Sequence, residues 1–215
     1  PTYEWSRMYF AIREANVAIT NLPTATFNND VFRDQLLGEA YFLRAYYYQQ
    51  LVRFYGGVPI IDKPYELNED YTIARNTYEE CVNFMVADLD KAAELLDGKG
   101  MAAGRASKLA ALALKSRILL YAASDLHDAT KAKANSPTLS GYANIELVAY
   151  TSGSQAERWN AAKAAAKAAL DAGQGYKLDL TAPVSAEEGT KNYNSIAMGG
   201  GSAVGDAAAE TELIF

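Results

Sequence analysis

Cysteine and histidine are almost absent from this chain. Cys81 is the one cysteine and His127 the one histidine among 215 residues. An intrachain disulfide is therefore impossible, and a zinc site of thiolate and imidazole ligands would need several carboxylates as well. We expect Cys81 to be a small buried apolar residue of a helix. We expect His127 to interact mainly with the C-terminus of the helix before it.

Positive charge is also scarce. The chain has 20 Lys and Arg against 26 Asp and Glu, a net charge of −6. Nucleic acids and anionic membrane surfaces are not expected as partners, because both are bound mainly through basic side chains. No apolar run reaches the about 20 residues of a membrane span. The longest, 109–123, is interrupted by Lys115 and Arg117 and predicts a central helix.

Constellations typical of catalysis are lacking too. The adjacent carboxylates Glu79-Glu80 open a predicted helix, and Glu187-Glu188 lie in a predicted loop, so both pairs are expected to be solvated rather than placed across a cleft. The Gly-rich segment 199–202 has neither the preceding strand nor the following Gly-Lys of a phosphate loop. We therefore predict no catalytic residue, no metal and no cofactor, and a protein that is not an enzyme.

Hydrophobic periodicity is what the chain does have. Apolar residues recurring every three or four positions predict helices at about 4–21, 30–55, 77–97, 107–124 and 157–172. Asp30 is the expected N-cap of the second helix, and Thr77 and Glu80 have capping-box spacing. Long connections are expected at 56–76, 127–154 and 174–210, with a short helix at Ala143–Tyr150. The fold class is thus predicted to be all-α.

The second helix and its end form the most informative segment. Aromatic residues crowd the helix, and its expected apolar stripe is Phe32, Leu36, Leu43, Tyr47, Leu51 and Phe54. It ends at Gly56-Gly57-Val58-Pro59, where glycine permits positive φ and proline cannot continue the helix. Arg44 follows Glu39 by five residues on this helix, and a structural ion pair is expected there.

This segment resembles the SusD/RagB family of surface nutrient-binding lipoproteins. The family's pattern matches Glu39-Ala40, then Phe42–Ala45 (Phe-Leu-Arg-Ala), then Tyr46–Tyr48, then Gly57-Val58-Pro59. Three later segments resemble further pieces in the family's order. They are Val86–Ala92, Ala106–Ala111 with its continuation to Leu119–Tyr121, and Arg158–Ala162.

The resemblance implies tetratricopeptide-like helical hairpins with long decorated loops, as a single SusD-like domain over 1–215. Family members are longer and begin with a signal peptide and a lipidated cysteine. The chain is therefore expected to be an N-terminal to middle part of a longer protein, attached to the membrane only through a lipid anchor that this chain lacks.

The implied function is capture of an oligosaccharide or related nutrient at the surface of the outer membrane. The ligand would pass to a SusC-type TonB-dependent transporter. The alternative is a helical-repeat scaffold that binds protein or peptide and no sugar, since a groove lined by Tyr and Asn would serve either purpose.

Tyrosine is abundant, at fifteen residues, and aromatic planes cover the apolar faces of sugars. Aromatics at core spacing are expected to pack inside: Tyr9, Tyr47, Tyr121 and Trp159. The expected ligand contacts are Tyr3 and Trp5, at the start of the first helix, and Asn192 and Tyr193 in the last long loop.

Overall fold

The computed structural model describes residues 2–70, 72–173, 185–187 and 190, and within them the fold is helical. The helices are α1 (Thr2–Asn21), α2 (Asp30–Tyr55), α3 (Tyr78–Leu95), α4 (Lys108–Ala122), α5 (Ala129–Asn135), α6 (Pro137–Ser140) and α7 (Gln155–Ala172). No strand forms in this part of the chain, where a single isolated bridge joins Asp128 and Tyr150. The all-α prediction is confirmed.

Side-chain caps fix where these helices begin. Thr77 and Glu80 form the predicted capping box of α3. At α2 the cap is Asn29, whose side chain accepts from a backbone N–H inside the helix, one residue before the expected Asp30. Ser154 caps α7, so this helix begins slightly earlier than the apolar pattern indicates. A cap contributes about 1 kcal/mol, enough to decide a boundary that periodicity leaves open.

The long helices stack in chain order as antiparallel neighbours. α1 packs on α2, α2 on α3, α3 on α4, and α4 on α7, which is the hairpin arrangement of tetratricopeptide-like proteins. Their facing sides form one core, whose largest fully buried apolar side chains are Ile12, Phe42, Tyr48, Leu51, Val82, Met85, Leu89 and Leu96.

The stripe predicted for α2 is right only in part: Leu43 and Tyr47 pack against the core and are partly buried. Phe32 and Phe54 are exposed, and of the predicted stripe only Leu51 is fully buried. The residues inside are instead Phe42 and Tyr48, with small neighbours. Because α2 is covered by α1 on one side and by α3 on the other, it buries two faces, and a single stripe describes neither.

Arg44 is the centre of a buried polar network. Its Nε and Nη2 each donate to one carboxylate oxygen of Asp88 at 2.7 Å. Its Nη1 donates to Asn16 Oδ1 at 2.7 Å and to the backbone carbonyl of Asp62 at 3.1 Å. The guanidinium carbon lies 4.8 Å from the centre of the Phe84 ring. One side chain thus links α1, α2, α3 and the segment after α2.

The structural role predicted for Arg44 is confirmed. Its partner is Asp88 on α3, and not Glu39, which lies five residues earlier on the same helix. Glu39 is bonded to Arg105, from the loop before α4, through an Arg105 Nε to Oε1 distance of 2.7 Å. Side chains five residues apart on a helix point in directions that differ by well over a right angle about its axis. Glu39 and Arg44 therefore contact different neighbours.

The segment after α2 lies as an extended strap along the side where α1 and α2 meet. Tyr48 Oη accepts from the backbone N–H of Ile61 at 2.6 Å, and Tyr9 Oη donates to the Pro59 carbonyl at 2.7 Å. Gly57 has no room for a side chain, since an added Cβ would lie 2.1 Å from the carbonyl oxygen of Asn76. The predicted end of α2 therefore depends on close backbone packing as well as on glycine flexibility.

The connection 127–154 is more ordered than a plain loop. It contains α5 and α6 and, within the predicted short helix Ala143–Tyr150, a single 3-10 turn at Ile145–Leu147. Arg158 from α7 holds the connection in place, donating to Asp128 Oδ2 at 2.6 Å. The remaining predicted loop, 174–210, lies outside the described residues apart from 185–187 and 190.

Candidate functional site

A groove opens where α2, α3 and α4 meet the turn at Asp125–His127. Its volume is about 250 Å³. It is lined by Gln49, Val52, Arg53, Tyr78, Val82, Met85, Arg117, Ile118, Tyr121, Leu126 and His127. The buried wall is mainly aliphatic, whereas the rim carries two arginines, so the groove combines an apolar interior with a cationic edge.

His127 and Tyr78 close one end of the groove. Their rings are stacked, with centres 4.1 Å apart and planes inclined by 12°. The distance from His127 Nδ1 to the Val148 carbonyl oxygen is 2.7 Å, so the Nδ1–H donates. Burial lowers the pKa of His127, although the bond to Val148 opposes the shift. The ring is therefore neutral at neutral pH, and in place of the predicted interaction with the preceding helix end it stacks on Tyr78 and bonds to Val148.

The rim of the groove consists of exposed side chains. Tyr121 is 55% exposed and Leu126 61%, which corrects the prediction that Tyr121 packs in the core. Arg53 and Arg117 are exposed and form no ion pair or hydrogen bond with the described part of the chain. The sequence contains a signal for the missing ion pairs, because no Asp or Glu lies within one helical turn of either arginine.

Trp159 is the second aromatic whose expected packing is corrected. Ala162 and Ala165 form the buried face of α7 against α4. Trp159 lies at the edge of that face by helical geometry and is 44% exposed. Small residues let α7 approach α4 closely, which leaves too little depth to enclose an indole.

The residues predicted to contact a ligand are not brought together in the described structure. Trp5 is half-buried, with its ring centre 5.0 Å from those of both Tyr9 and Tyr55, so it joins α1 to the end of α2. Tyr3 lies in the first turn of α1. Asn192 and Tyr193 are outside the described residues. A ligand-binding role for these four residues stays a prediction.

The sparse reactive groups have structural roles. Cys81 is fully buried as predicted, and burial raises the pKa of its thiol. Of the adjacent carboxylates, Glu79 accepts from Ser152 Oγ at 3.1 Å, and Glu80 closes the capping box. Throughout the ranges that the structure describes, no His, Cys, Asp and Glu side chains cluster closely enough to hold a metal ion. Nor does any helix there combine the length and apolarity that membrane crossing requires.

A protein-family model matches the part of the chain that contains the Arg44 network and most of the groove. The model covers SusD-like proteins, is described as starch-binding associating with outer membrane, and matches residues 1–120. The chain belongs to this SusD-like family. The family resemblance seen in the sequence is thereby confirmed, and the matched residues comprise α1, α2, α3 and most of α4.

Individual SusD-like proteins show the same relationship. SusD-like protein P38 of Formosa agariphila is 31% identical over 119 residues, which are 55% of this chain and 23% of P38. The crystal structure of a SusD-like protein from Bacteroides fragilis superimposes with a TM-score of 0.53 at 31% identity, covering 61% of this chain and 30% of that one. A laminarin binding SusD-like protein superimposes with a TM-score of 0.52 at 29% identity, covering 62% and 28%.

The chain thus spans about a quarter of the length of the curated relatives it matches, 23% in each of two cases. These relationships place the helical hairpins in the SusD-like fold.

Proposed function

We propose that the protein binds an oligosaccharide or related nutrient at the surface of the outer membrane. The observation that carries this proposal is the match of residues 1–120 to the family described as starch-binding associating with outer membrane. The likeness to a laminarin binding SusD-like protein, at 29% identity, supports a glycan as the ligand class.

The second part of the proposal is delivery of the ligand to a SusC-type TonB-dependent transporter. Stacked helices with a continuous core form a stiff scaffold, and such a scaffold can hold a partner surface and a sugar-binding surface in a fixed relation. Binding alone suffices for this role, so no catalytic group is required. We place the protein on the outer membrane through a lipid anchor of the longer protein.

For the sugar-binding surface we retain Tyr3, Trp5, Asn192 and Tyr193. An aromatic ring stacks on the C–H face of a sugar while amide groups bind hydroxyls. Trp5 is the member of this set whose surroundings are known, and its ring is only half-buried. The ring lies beside Tyr55 at the end of α2.

Isothermal titration against laminarin, starch and other soluble polysaccharides tests the binding step. We expect heat of binding for at least one glycan, and a marked loss of affinity in Tyr193→Ala. Trp159→Ala is the matched control, because it also removes an aromatic side chain, but one on α7 and outside the proposed sugar-binding set. If no glycan binds, the proposed function is contradicted. If Tyr193→Ala and Trp159→Ala bind the glycan equally well, the proposed site is contradicted. Co-purification with the transporter from membranes tests delivery separately.

A further inference from the structure

The groove between α2, α3 and α4 has an unneutralised positive rim in an acidic protein. The net charge is −6. Three arginines outside the groove form ion pairs with carboxylates: Arg44 with Asp88, Arg105 with Glu39, and Arg158 with Asp128. Arg53 and Arg117 both line the groove and have no carboxylate partner within the described ranges. Arg53 lies over the ring of Phe54 at 5.4 Å, a contact that leaves its N–H donors and its charge available.

The interior of the same groove is suited to an apolar side chain rather than to a sugar. Its wall is formed by aliphatic residues, namely Val52, Val82, Met85 and Ile118. The Tyr78 ring, which might otherwise stack on a sugar, is covered by His127 at 4.1 Å. At about 250 Å³ the groove is smaller than the about 300–1,000 Å³ of typical small-molecule sites, and it suits one or two side chains.

Exposed apolar groups extend this surface beyond the groove itself. Tyr121 and Leu126 lie at the mouth, each more than half exposed, and Tyr and Arg are both residue types enriched at protein interfaces. An occupant that covered both would remove apolar area from water and would meet the guanidinium groups at the edge.

We propose that this groove binds a short acidic segment of a protein partner. One apolar side chain of that segment enters between α2 and α4 and packs on Met85 and Ile118. A carboxylate of the same segment accepts hydrogen bonds from Arg53 and Arg117, whose planar guanidinium groups match carboxylate geometry. None of the groove-lining residues belongs to the proposed sugar-binding set, and the inference does not depend on that set.

Fluorescence polarisation with the full chain and a labelled peptide tests this inference. The probe is a short peptide with a Leu-Phe pair flanked by glutamates, and its reference is the same peptide with glutamine at those positions. We expect the acidic peptide to bind and the glutamine peptide to bind at least about tenfold more weakly, because hydrogen bonds to charged groups are the stronger ones. Binding of the acidic peptide should weaken as salt concentration rises.

Substitutions in the protein locate the binding. Arg53→Gln and Arg117→Gln should each weaken binding of the acidic peptide by about tenfold, whereas Lys133→Gln, which removes an exposed charge from α5, should leave it unchanged. Both arginines are exposed, so thermal melting of each variant should match that of the unmodified chain and exclude misfolding as the cause.

Three results would overturn the inference. The first is failure of the acidic peptide to bind, and the second is equal affinity for the glutamine peptide. The third is binding of a uronic-acid oligosaccharide in place of the peptide, lost in Arg53→Gln and Arg117→Gln, which would make the groove a site for acidic sugar. None of these results bears on neutral glycan binding in Tyr193→Ala, so the inference and the proposed function fail independently.

Discussion

Removal of Asp88 is expected to be among the most destabilising single changes in this protein. Asp88 and Arg44 are both buried, with side chains 6% exposed, and two bonds of 2.7 Å join them. Asp88→Ala leaves a buried guanidinium with two unmet donors and no counter-charge. Breaking a buried pair in this way costs about 3–5 kcal/mol, against a total stability of about 5–15 kcal/mol.

The measurement is urea unfolding followed by far-UV circular dichroism, with thermal melts in parallel. For a domain of this size, a loss of that magnitude lowers the melting midpoint by about 6–20 °C. Asp171→Ala is the matched control, because it breaks the exposed pair between Lys167 and Asp171 on α7. We expect it to cost less than about 1 kcal/mol.

A double substitution separates the ion pair from the volume of the side chains. Arg44→Met with Asp88→Leu replaces both charged side chains by apolar ones, so the double variant contains no unpaired buried charge at these two positions. We expect this double variant to lose at least about 2 kcal/mol less than the sum of the two single losses. The stabilising role of the Arg44–Asp88 pair is refuted if each single substitution lowers the free energy of unfolding by less than about 1 kcal/mol. It is also refuted if the losses in the double variant simply add.

Three smaller changes test other parts of the fold. Gly57→Ala places a Cβ 2.1 Å from a backbone oxygen, and we expect urea unfolding to show a loss of about 2 kcal/mol or more, because backbone must shift. Tyr48→Phe leaves the N–H of Ile61 without its acceptor at 2.6 Å, which should cost about 1–3 kcal/mol in the same assay. His127→Gln should flatten the fall in melting temperature between about pH 8 and about pH 5. The reason is that burial lowers the pKa of His127 below 6.5, so its stabilising contribution is present above that value and is lost as pH falls through the folded pKa.

The first two changes have control substitutions in the same chain, and His127→Gln is compared with the unmodified chain. Gly100→Ala should be nearly neutral, since nothing lies within 4 Å of its added Cβ, and Tyr46→Phe should be nearly neutral because that side chain is exposed. A Gly57→Ala variant as stable as Gly100→Ala would refute the close packing of the strap. Equal costs for Tyr48→Phe and Tyr46→Phe would refute the bond to Ile61. Parallel pH curves for the unmodified chain and His127→Gln would show that the histidine titrates as it does in solvent.

Local chemistry made the helices predictable. The capping box of Thr77 and Glu80 and the Gly56-Gly57 stop act within a few residues of the boundaries they set, and those boundaries agree with the structure. The family resemblance was also visible in the residues of α2 and its end. At α2 the boundary moved because Asn29 and Asp30 could each have served as the cap. At α7 it moved because the apolar pattern starts later than the cap Ser154.

The candidate groove was not predictable in the same way. Arg53 and Arg117 are far apart in the sequence, and the absence of nearby acids marks each as unpaired without showing that they share a rim. The aromatic residues Tyr121 and Trp159 were expected inside, because helical spacing shows which residues share a face but not whether another helix covers it.

The sequence by itself determined the fold class, the positions of the long helices and the family, since these depend on periodicity, caps and motifs that act over short distances. Only the tertiary structure decided that α2 buries two faces, that Arg44 pairs with Asp88 from another helix, and that three helices and a turn enclose one groove. The physical reason is that burial and ion pairing depend on which surfaces meet in space, and those surfaces come from segments separated by tens of residues.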